Sequence, residues 1–583
     1  WESLARGEKN KLSEREREGL KRLICDAKKA NNLLLALILV IVLTVNVALM
    51  IAPIPAQPTE VWVATTGNDS NPGTQLQPFR TIQKGVDSVA VGGTVHIADG
   101  TYNENINIGK SLVLKAASGR PVIDGDKTGD GIPDGSCITI NANGVTIEGF
   151  EIKNGYNGIT GQTSNSIIKN NIIHGHLNYL GSNGVGILLW GDNDNNQILN
   201  NEIYDNDRQG IFIGYDDFDG NPNTRPKISS GNTVSGNKIY HNGLYRQPNG
   251  PDASAYGIQL WNADGNAIKS NEVYNHDDWF PDPVNRPTFD FAQGIYLCAS
   301  FHNTVEGNNL HDNNYGVGLW STGATIPSPE TTRINFNNIA GNTGYGIRNI
   351  NTVPVNAENN WWGSATGPTH SSNPGGTGDE VSDYVDFKPW LLAPTSGGKS
   401  ETVTDSGTVD AKTEADTTVD ISATGSHTIT VASYTSNPGG ALPLTALGKY
   451  IDVHLDSSVG VTEIVIKVYY TDDEVAAAGL DENTLMLFWW NGASWVACSD
   501  QGRDTVNNYI RASIRSDTTP SLNDLVGTPF GAGGKAIAPP PPRIMPPVGG
   551  ILTPVNKLAI LAPYMALIGL AAVVAVTVKR RKR

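Results

Sequence analysis

Asn171-Ile172-Ile173-His174, Asn201-Glu202-Ile203-Tyr204, Asn237-Lys238-Ile239-Tyr240, Asn271-Glu272-Val273-Tyr274, Asn308-Asn309-Leu310-His311 and Asn337-Asn338-Ile339-Ala340 are one short phrase repeated along the chain. A second phrase, Gly-Ile-x-Leu in outline, alternates with it: Gly186-Ile187, Gly210-Ile211, Gly257-Ile258, Gly294-Ile295, Gly316-Val317 and Gly346-Ile347. Its shortest intervals are 22 residues, from Gly294 to Gly316, and 24, from Gly186 to Gly210. Each phrase alternates with period two, as a strand does, and is bounded by Gly and Asn, which accept left-handed backbone angles at tight turns. Apolar residues do not recur at i, i+3, i+4 and i+7, which excludes a helical solenoid. A unit this short cannot bury its apolar face alone, so successive units stack rung on rung. Asparagines recurring at one turn are then expected to bond along the axis as a ladder. The expected fold is all-β, a single-stranded parallel β-helix.

The flanking segments extend the same pattern. Before the coils stand Thr66-Gly67-Asn68-Asp69-Ser70-Asn71-Pro72-Gly73-Thr74, Pro78-Phe79-Arg80-Thr81-Ile82-Gln83 and Gly100-Thr101-Tyr102-Asn103-Glu104. After them come Asn359-Asn360-Trp361-Trp362-Gly363-Ser364-Ala365-Thr366-Gly367-Pro368 and Pro389-Trp390-Leu391. With these ends, residues 60–392 resemble the right-handed parallel β-helix superfamily that includes pectate lyases, mannuronan epimerases and the periplasmic copper-protein accessory family. The resemblance implies a cap and first coils at the start and a surface-protein ending. It does not choose an activity, because this scaffold hosts lyases, hydrolases, epimerases and plain binders.

Outside the coils the chain is organised for export. Residues 33–52 are an apolar run long enough to span a bilayer, preceded by the charged segment 1–32, and 33–56 reads as an anchor or signal helix with a weak cleavage point at Ala56. A second apolar run, 558–578, is followed by the basic tail 579–583, a stop-transfer pattern that places the tail in the cytoplasm and makes the membrane a partner. The stretch 393–417 reads as a polar linker, 418–530 as a small β-sandwich with a hairpin at Asn491-Gly492, and 531–556 as a proline-rich spacer. The formal net charge is −16. Setting aside +3 for residues 1–32 and +5 for the tail leaves −24 on the remainder, which excludes an electrostatic grip on nucleic acid. Cys25, Cys137, Cys298 and Cys498 are too scattered for a disulfide framework or a zinc ribbon. Gly 64 and Pro 33 in 583 residues stay below the roughly 25–30% of a low-complexity chain.

Chemistry is expected where insertions interrupt the coils. Residues 244–256 and 277–293 carry Tyr245, Arg246, Asp277, Asp278, Trp279 and Arg286, and loops stacked on one side of a solenoid wall a groove. Trp190, Trp261 and Trp320 occupy one position in three coils, with Gly214 and Cys298 at that position in the others. They serve either glycan contact or closure of the solenoid corner. Glu202, Lys238 and Glu272 come from consecutive units. Two glutamates about 9.6 Å apart, at ~4.8 Å per rung, lie near the separation of an inverting glycosidase pair, about 9.5 Å at most. The intervening lysine would hold both ionised, so a surface charge ladder fits better. Pectate lyases carry a calcium-binding aspartate cluster on the outward face, whereas here the outward positions are Leu188, Phe212, Gln259, Tyr296, Gly318 and Arg348.

Asp126, Thr128, Asp130 and Asp134 present alternate oxygens, as calcium loops of thrombospondin and dockerin type do, but Asp-Gly also favours turns for shape alone, so Ca²⁺ and a structural turn are both open. His174, His241, His302 and His311 are spread over different coils, which argues against copper. The leading expectation is a membrane-anchored surface protein that binds extracellular polysaccharide or cell-wall glycan without catalysis. A polysaccharide lyase or glycoside hydrolase acting in the loop-walled groove is the alternative, and a structural surface-layer component the second alternative.

Overall fold

A computed structural model of the chain describes residues 14–51, 56–178, 183–214, 229–244, 255–276, 292–320 and 331–537. Within them the coils build three parallel sheets. Sheet A has twelve strands, from Glu60–Val63 to Val385–Asp386. Sheet B, from Thr101–Asn103 to Asn338–Ala340, and sheet C, from Ile106–Ile108 to Tyr345–Asn349, have nine each. The chain visits B, C and A in turn, then climbs one rung. Three-residue strands such as Glu202–Tyr204 point their middle side chain inward and the flanking pair outward. The interior is therefore a stack of β-branched and leucine side chains in register: Ile152, Ile173, Ile203, Ile239, Val273 and Leu310 from sheet B are all fully buried.

The expected asparagine ladder exists, and it is one of three. At the turn from A to B, Asn171, Asn201, Asn237, Asn271, Asn308, Asn337 and Asn360 are joined Nδ2 to Oδ1 at 2.9–3.0 Å. Each is preceded by a tight turn; Asn170, Asn200, Ser270 and Phe336 all take φ between 53° and 58° there. At the turn from C to A, Ser166, Asn196, Asn232, Asn266 and Asn303 repeat the device. At the turn from B to C the column reads His176, Asn206, Asn242, His276, Asn313, Asn342 and Asp379.

Both histidines in that column stand in for asparagine. His276 Nε2 faces the Asn242 amide at 3.2 Å and its Nδ1 faces Asn313 Oδ1 at 3.0 Å, so a neutral ring accepts on one side and donates on the other. His176 Nδ1 accepts the Gly155 backbone N–H at 3.1 Å. A proton added to either accepting nitrogen would set two donors against each other. Burial holds His276 down at about 4 and His176 at about 3.

At the start, the helix Ile82–Ser88 lays Ile82 and Val86 over the first coil, and the Glu104 carboxylate takes the N–H groups of Ile82 and Gln83. Downstream, the expected linker is folded. Thr395–Thr404 is the edge strand of a six-stranded antiparallel sheet and pairs with Ser426–Tyr434; Gly407–Ala411 opens the five-stranded sheet that packs on it. The stretch looks structureless in sequence because an edge strand is held by its backbone and by hydroxyl pairs, Ser400 to Thr430 and Thr402 to Thr428 at 2.9 Å, rather than by an apolar face. The sandwich thus runs from Thr395 to Gly534, and its Asn491-Gly492 turn joins Met486–Trp490 to Trp495–Ala497 as expected. It is clamped to the last coils: Asn338 exchanges two 2.8 Å bonds with the Thr395 backbone, and Phe336 packs in a shared cluster with Leu391, Tyr434, Tyr450, Phe488 and Trp495.

Residues 33–51 of the first apolar run lie in a 38-residue helix, Glu14–Ile51. No helix among the described residues is long and apolar enough to cross a membrane, and the run 558–578 lies outside them.

Two outcomes follow from the ladders. Asn237→Ala strands the Asn201 backbone and side-chain N–H groups and three further partners; it should cost about 2–4 kcal/mol in denaturant unfolding, against less than about 0.5 for the exposed Asn309→Ala. Because His176 and His276 stay neutral in the fold but titrate near 6.5 when unfolded, the unfolded chain takes up protons first as the pH falls. Their contribution is complete above pH 6.5 and is lost at up to ~1.4 kcal/mol per pH unit for each ring on the way down to pH 4 and 3. Melting curves of His176→Asn/His276→Asn should be distinctly flatter than wild type over that window.

Candidate functional site

Parallel pairing turns the repeat into straight columns of outward side chains. On sheet C the register aligns Trp190, Gly214, Trp261, Cys298 and Trp320, the alignment read from the sequence. Trp190 is 43% exposed and stacks on Phe212 at 5.6 Å, while Trp261 and Trp320 are half-buried. Gly214 is obligatory: at φ 132° an added Cβ would lie 1.8 Å from the Trp261 carbonyl oxygen.

Beside this column runs Leu188, Phe212, Gln259, Tyr296, Gly318 and Arg348, and beyond it Tyr256, Gln293, Tyr315 and Tyr345. Gln209 Nε2 donates to Gln259 Oε1 at 2.9 Å, Tyr256 and Tyr296 pack at 4.7 Å, and the Arg348 guanidinium donates to the Tyr315 hydroxyl and lies 5.1 Å above its ring. Gly318 leaves the space that the Gln293 amide fills. Phe212, Tyr256, Gln259, Gln293 and Tyr315 are buried, so the face presents Trp190 exposed and Trp261, Tyr296, Trp320, Tyr345 and Arg348 in part. No position in these columns is a carboxylate.

Where this face turns into sheet A, just past Trp190, lies an open polar hollow of about 420 Å³ lined by Gln162, Asp192 and Asp194 among others. Asp194 is committed to the turn, accepting the Ser230 backbone N–H at 2.8 Å and its hydroxyl at 3.1 Å. The loop residues expected to wall the groove, Tyr245, Arg246, Asp277, Asp278, Trp279 and Arg286, lie outside the described residues.

Sheet B carries a constellation whose phrase was visible in the sequence but whose geometry was not. His174, Tyr204, Tyr240, Tyr274 and His311 stack face to face at 4.8–5.0 Å with interplanar angles of 2–13°. Glu202, Lys238 and Glu272 stand on consecutive rungs beside them, as expected. Glu202 accepts the Tyr240 hydroxyl at 3.0 Å, and the Lys238 ammonium lies over the Tyr240 ring at 5.3 Å. Hydrogen bonding to Tyr274 and the nearby carboxylates push the lysine further up, so it keeps its charge between the glutamates. Ring faces here are spent on one another and only edges reach solvent, so the column is a stiffener rather than a sugar platform.

The acidic loop closes on itself. Asp126 accepts the N–H groups of Gly129 and Gly131, both at 2.7 Å, and the Thr128 hydroxyl at 3.3 Å. Asp134 accepts the N–H groups of Lys127 and Thr128, and Asp130 that of Ile132. Slight desolvation works against it, but the Gly131 and Gly129 donors hold the Asp126 carboxyl below its ordinary value. Oxygens aimed at backbone N–H groups fit a turn clasp.

Comparison with known proteins agrees with this geometry. Residues 126–244 and 223–361 each match the family model of the right-handed β-helix region. Residues 126–361 are a right-handed parallel β-helix. Over 238 residues, 34% of this chain, the protein is 32% identical to a cell surface glycoprotein of Methanothermus fervidus, and the match spans 39% of that protein. Over 62 residues, 11% of this chain, it is 36% identical to the uncharacterized protein YwoF of Bacillus subtilis, spanning 12% of it. The chain thus covers well under half of either curated relative. Among solved structures, pectate lyase Pel9A is similar at 16% identity and a TM-score of 0.37, over 59% of this chain and 82% of that one.

If the acidic loop is a clasp of the β-helix and not a calcium site, EDTA should leave the melting temperature unchanged, whereas Asp126→Ala, which removes the acceptor of Gly129 and Gly131, should lower it with or without Ca²⁺.

Proposed function

We propose that the β-helix holds extracellular polysaccharide or cell-wall glycan along the outward face of sheet C, at the cell surface and without transforming it. One observation carries this reading: the rung-by-rung alignment of Trp190, Trp261 and Trp320, with Trp190 exposed and Tyr296, Tyr345 and Arg348 half-buried beside them. Sugar rings pack their C–H faces on indoles and offer hydroxyls to phenols and guanidinium groups. Acid–base chemistry needs a proton carrier with a tuned pKa, and the described columns of this face supply rings, amides and Arg348 instead.

The likeness to a cell surface glycoprotein supports the location. The apolar run 558–578 with its basic tail supports a C-terminal membrane anchor, and the strong negative charge of the intervening segment suits an exported surface.

In affinity electrophoresis against cell-wall polysaccharides, Trp190→Ala/Trp261→Ala should weaken retention about tenfold, ~1.4 kcal/mol, with no new reducing or unsaturated ends in the polymer. Release of such ends that disappears on changing Asp277, Asp278 or Arg286 would establish the lyase or hydrolase reading instead.

A further inference from the structure

The outward column of sheet A opens with a group of side chains that the glycan face on sheet C does not use. Trp62, His96, Lys115, Glu148 and Lys169 stand on successive rungs. The first four line an open hollow of about 580 Å³, to which Gln75, Arg120 and Asn170 also contribute. The Trp62 indole lies on the His96 imidazole at 4.7 Å and 11°. Burial and the Lys115 ammonium hold that imidazole below its ordinary value against the pull of Glu60 at 3.9 Å, so the ring backs the indole as a neutral plate.

Charge in the hollow is unbalanced. Glu148, the one carboxylate of the lining, is matched by Lys169 at 3.2 Å and receives the Asn170 amide at 3.4 Å. Arg120 Nη1 donates to the carbonyls of Asn170 at 2.9 Å and Phe150 at 3.4 Å, which hold the guanidinium in place without cancelling its charge. Lys115 makes no ion pair among the described residues. Two cations thus line the rungs that follow the indole, on a protein whose formal net charge is −16.

We propose that this hollow is a second saccharide site, selective for an acidic sugar. One sugar of an acidic oligosaccharide lying along the rungs packs against Trp62 with its hydroxyls toward Gln75, and the anionic group of a sugar further along meets Lys115 and the remaining N–H groups of Arg120 beside Asn170. Charge-assisted bonds from a rigidly held guanidinium and an ammonium discriminate an anionic sugar from its neutral counterpart, which an indole alone does not. The site lies on a different sheet from the Trp190 column, so it does not depend on the reading given for that face.

Affinity electrophoresis of the full chain in mild detergent, through gels containing polygalacturonate, dextran sulfate or neutral dextran, tests the assignment. Lys115→Gln/Arg120→Gln should weaken retention by at least one acidic polymer about tenfold, with an unchanged melting temperature and unchanged behaviour in dextran. The polymer affected identifies the anion as carboxylate or sulfate. The charge-matched Lys238→Gln/Lys269→Gln should change retention less than about twofold, and Trp190→Ala/Trp261→Ala should leave this acidic component intact, which separates failure here from failure of the sheet C reading. The proposal is overturned if neither acidic polymer retains the protein, if the double variant retains wild-type binding, or if the charge-matched control loses as much.

Discussion

Everything in this molecule rests on how a coil of about two dozen residues disposes of the polar groups at its tight turns. Three turns per coil bury backbone and side-chain donors that no strand can pair. The answer, repeated at each turn, is an asparagine whose carbonyl accepts from the rung on one side and whose amide donates to the rung on the other. A buried amide left unmade is expensive, so each rung is obliged to carry the next. That obligation also fixes register. A slip of one residue would turn every interior isoleucine outward and break three ladders at once. The straight outward columns, and hence any surface that reads a polymer, are consequences of the buried amides.

The coils were legible because the same physics writes itself at regular intervals: Asn before each sheet B strand marked a turn, whereas Gly257, Gly294, Gly316 and Gly346 lie inside sheet C strands without left-handed angles, and at the first three an added Cβ would strike the carbonyl of the next rung's glycine. The alignment of Trp190, Trp261 and Trp320 could be read because a parallel register simply copies the repeat. Two histidines in an asparagine column are hidden by residue type alone, since His176 and His276 follow Asn171 and Asn271 at the same interval at which Asn206 and Asn242 follow Asn201 and Asn237. The strand Thr395–Thr404 escaped because sequence periodicity reports burial, and an edge strand rich in Thr, Ser and Gly buries little. The acidic loop is ambiguous in sequence, because its spacing of oxygens suits a cation and backbone N–H groups equally well; in the fold Asp126 accepts the Gly129 and Gly131 amides.

The three outward faces show how little residue type decides by itself. Tyrosines on sheet B are stacked on one another and are mechanical. Tyrosines on sheet C are set among glutamines, with an arginine over one of them. The single tryptophan that opens sheet A is backed by a neutral histidine and followed along the rungs by cations. What differs is the direction in which the ring face is left open and which charges remain unmatched around it. Neither property is visible in composition.

An asparagine column has no intrinsic end, because each amide that accepts also donates and so asks for another above it. A stack of such coils is in that respect a filament waiting for its next subunit. The column from His176 stops at Asp379, whose Oδ2 takes the Asn342 amide while its Oδ1 takes the Gly341 N–H. A carboxylate accepts and has nothing to pass on, so Asp379 acts on the ladder as a chain terminator acts on a growing polymer. One substitution of oxygen for NH₂ in a side chain closes that column, and the sandwich clamped through Asn338 and Phe336 packs on the coils beside it.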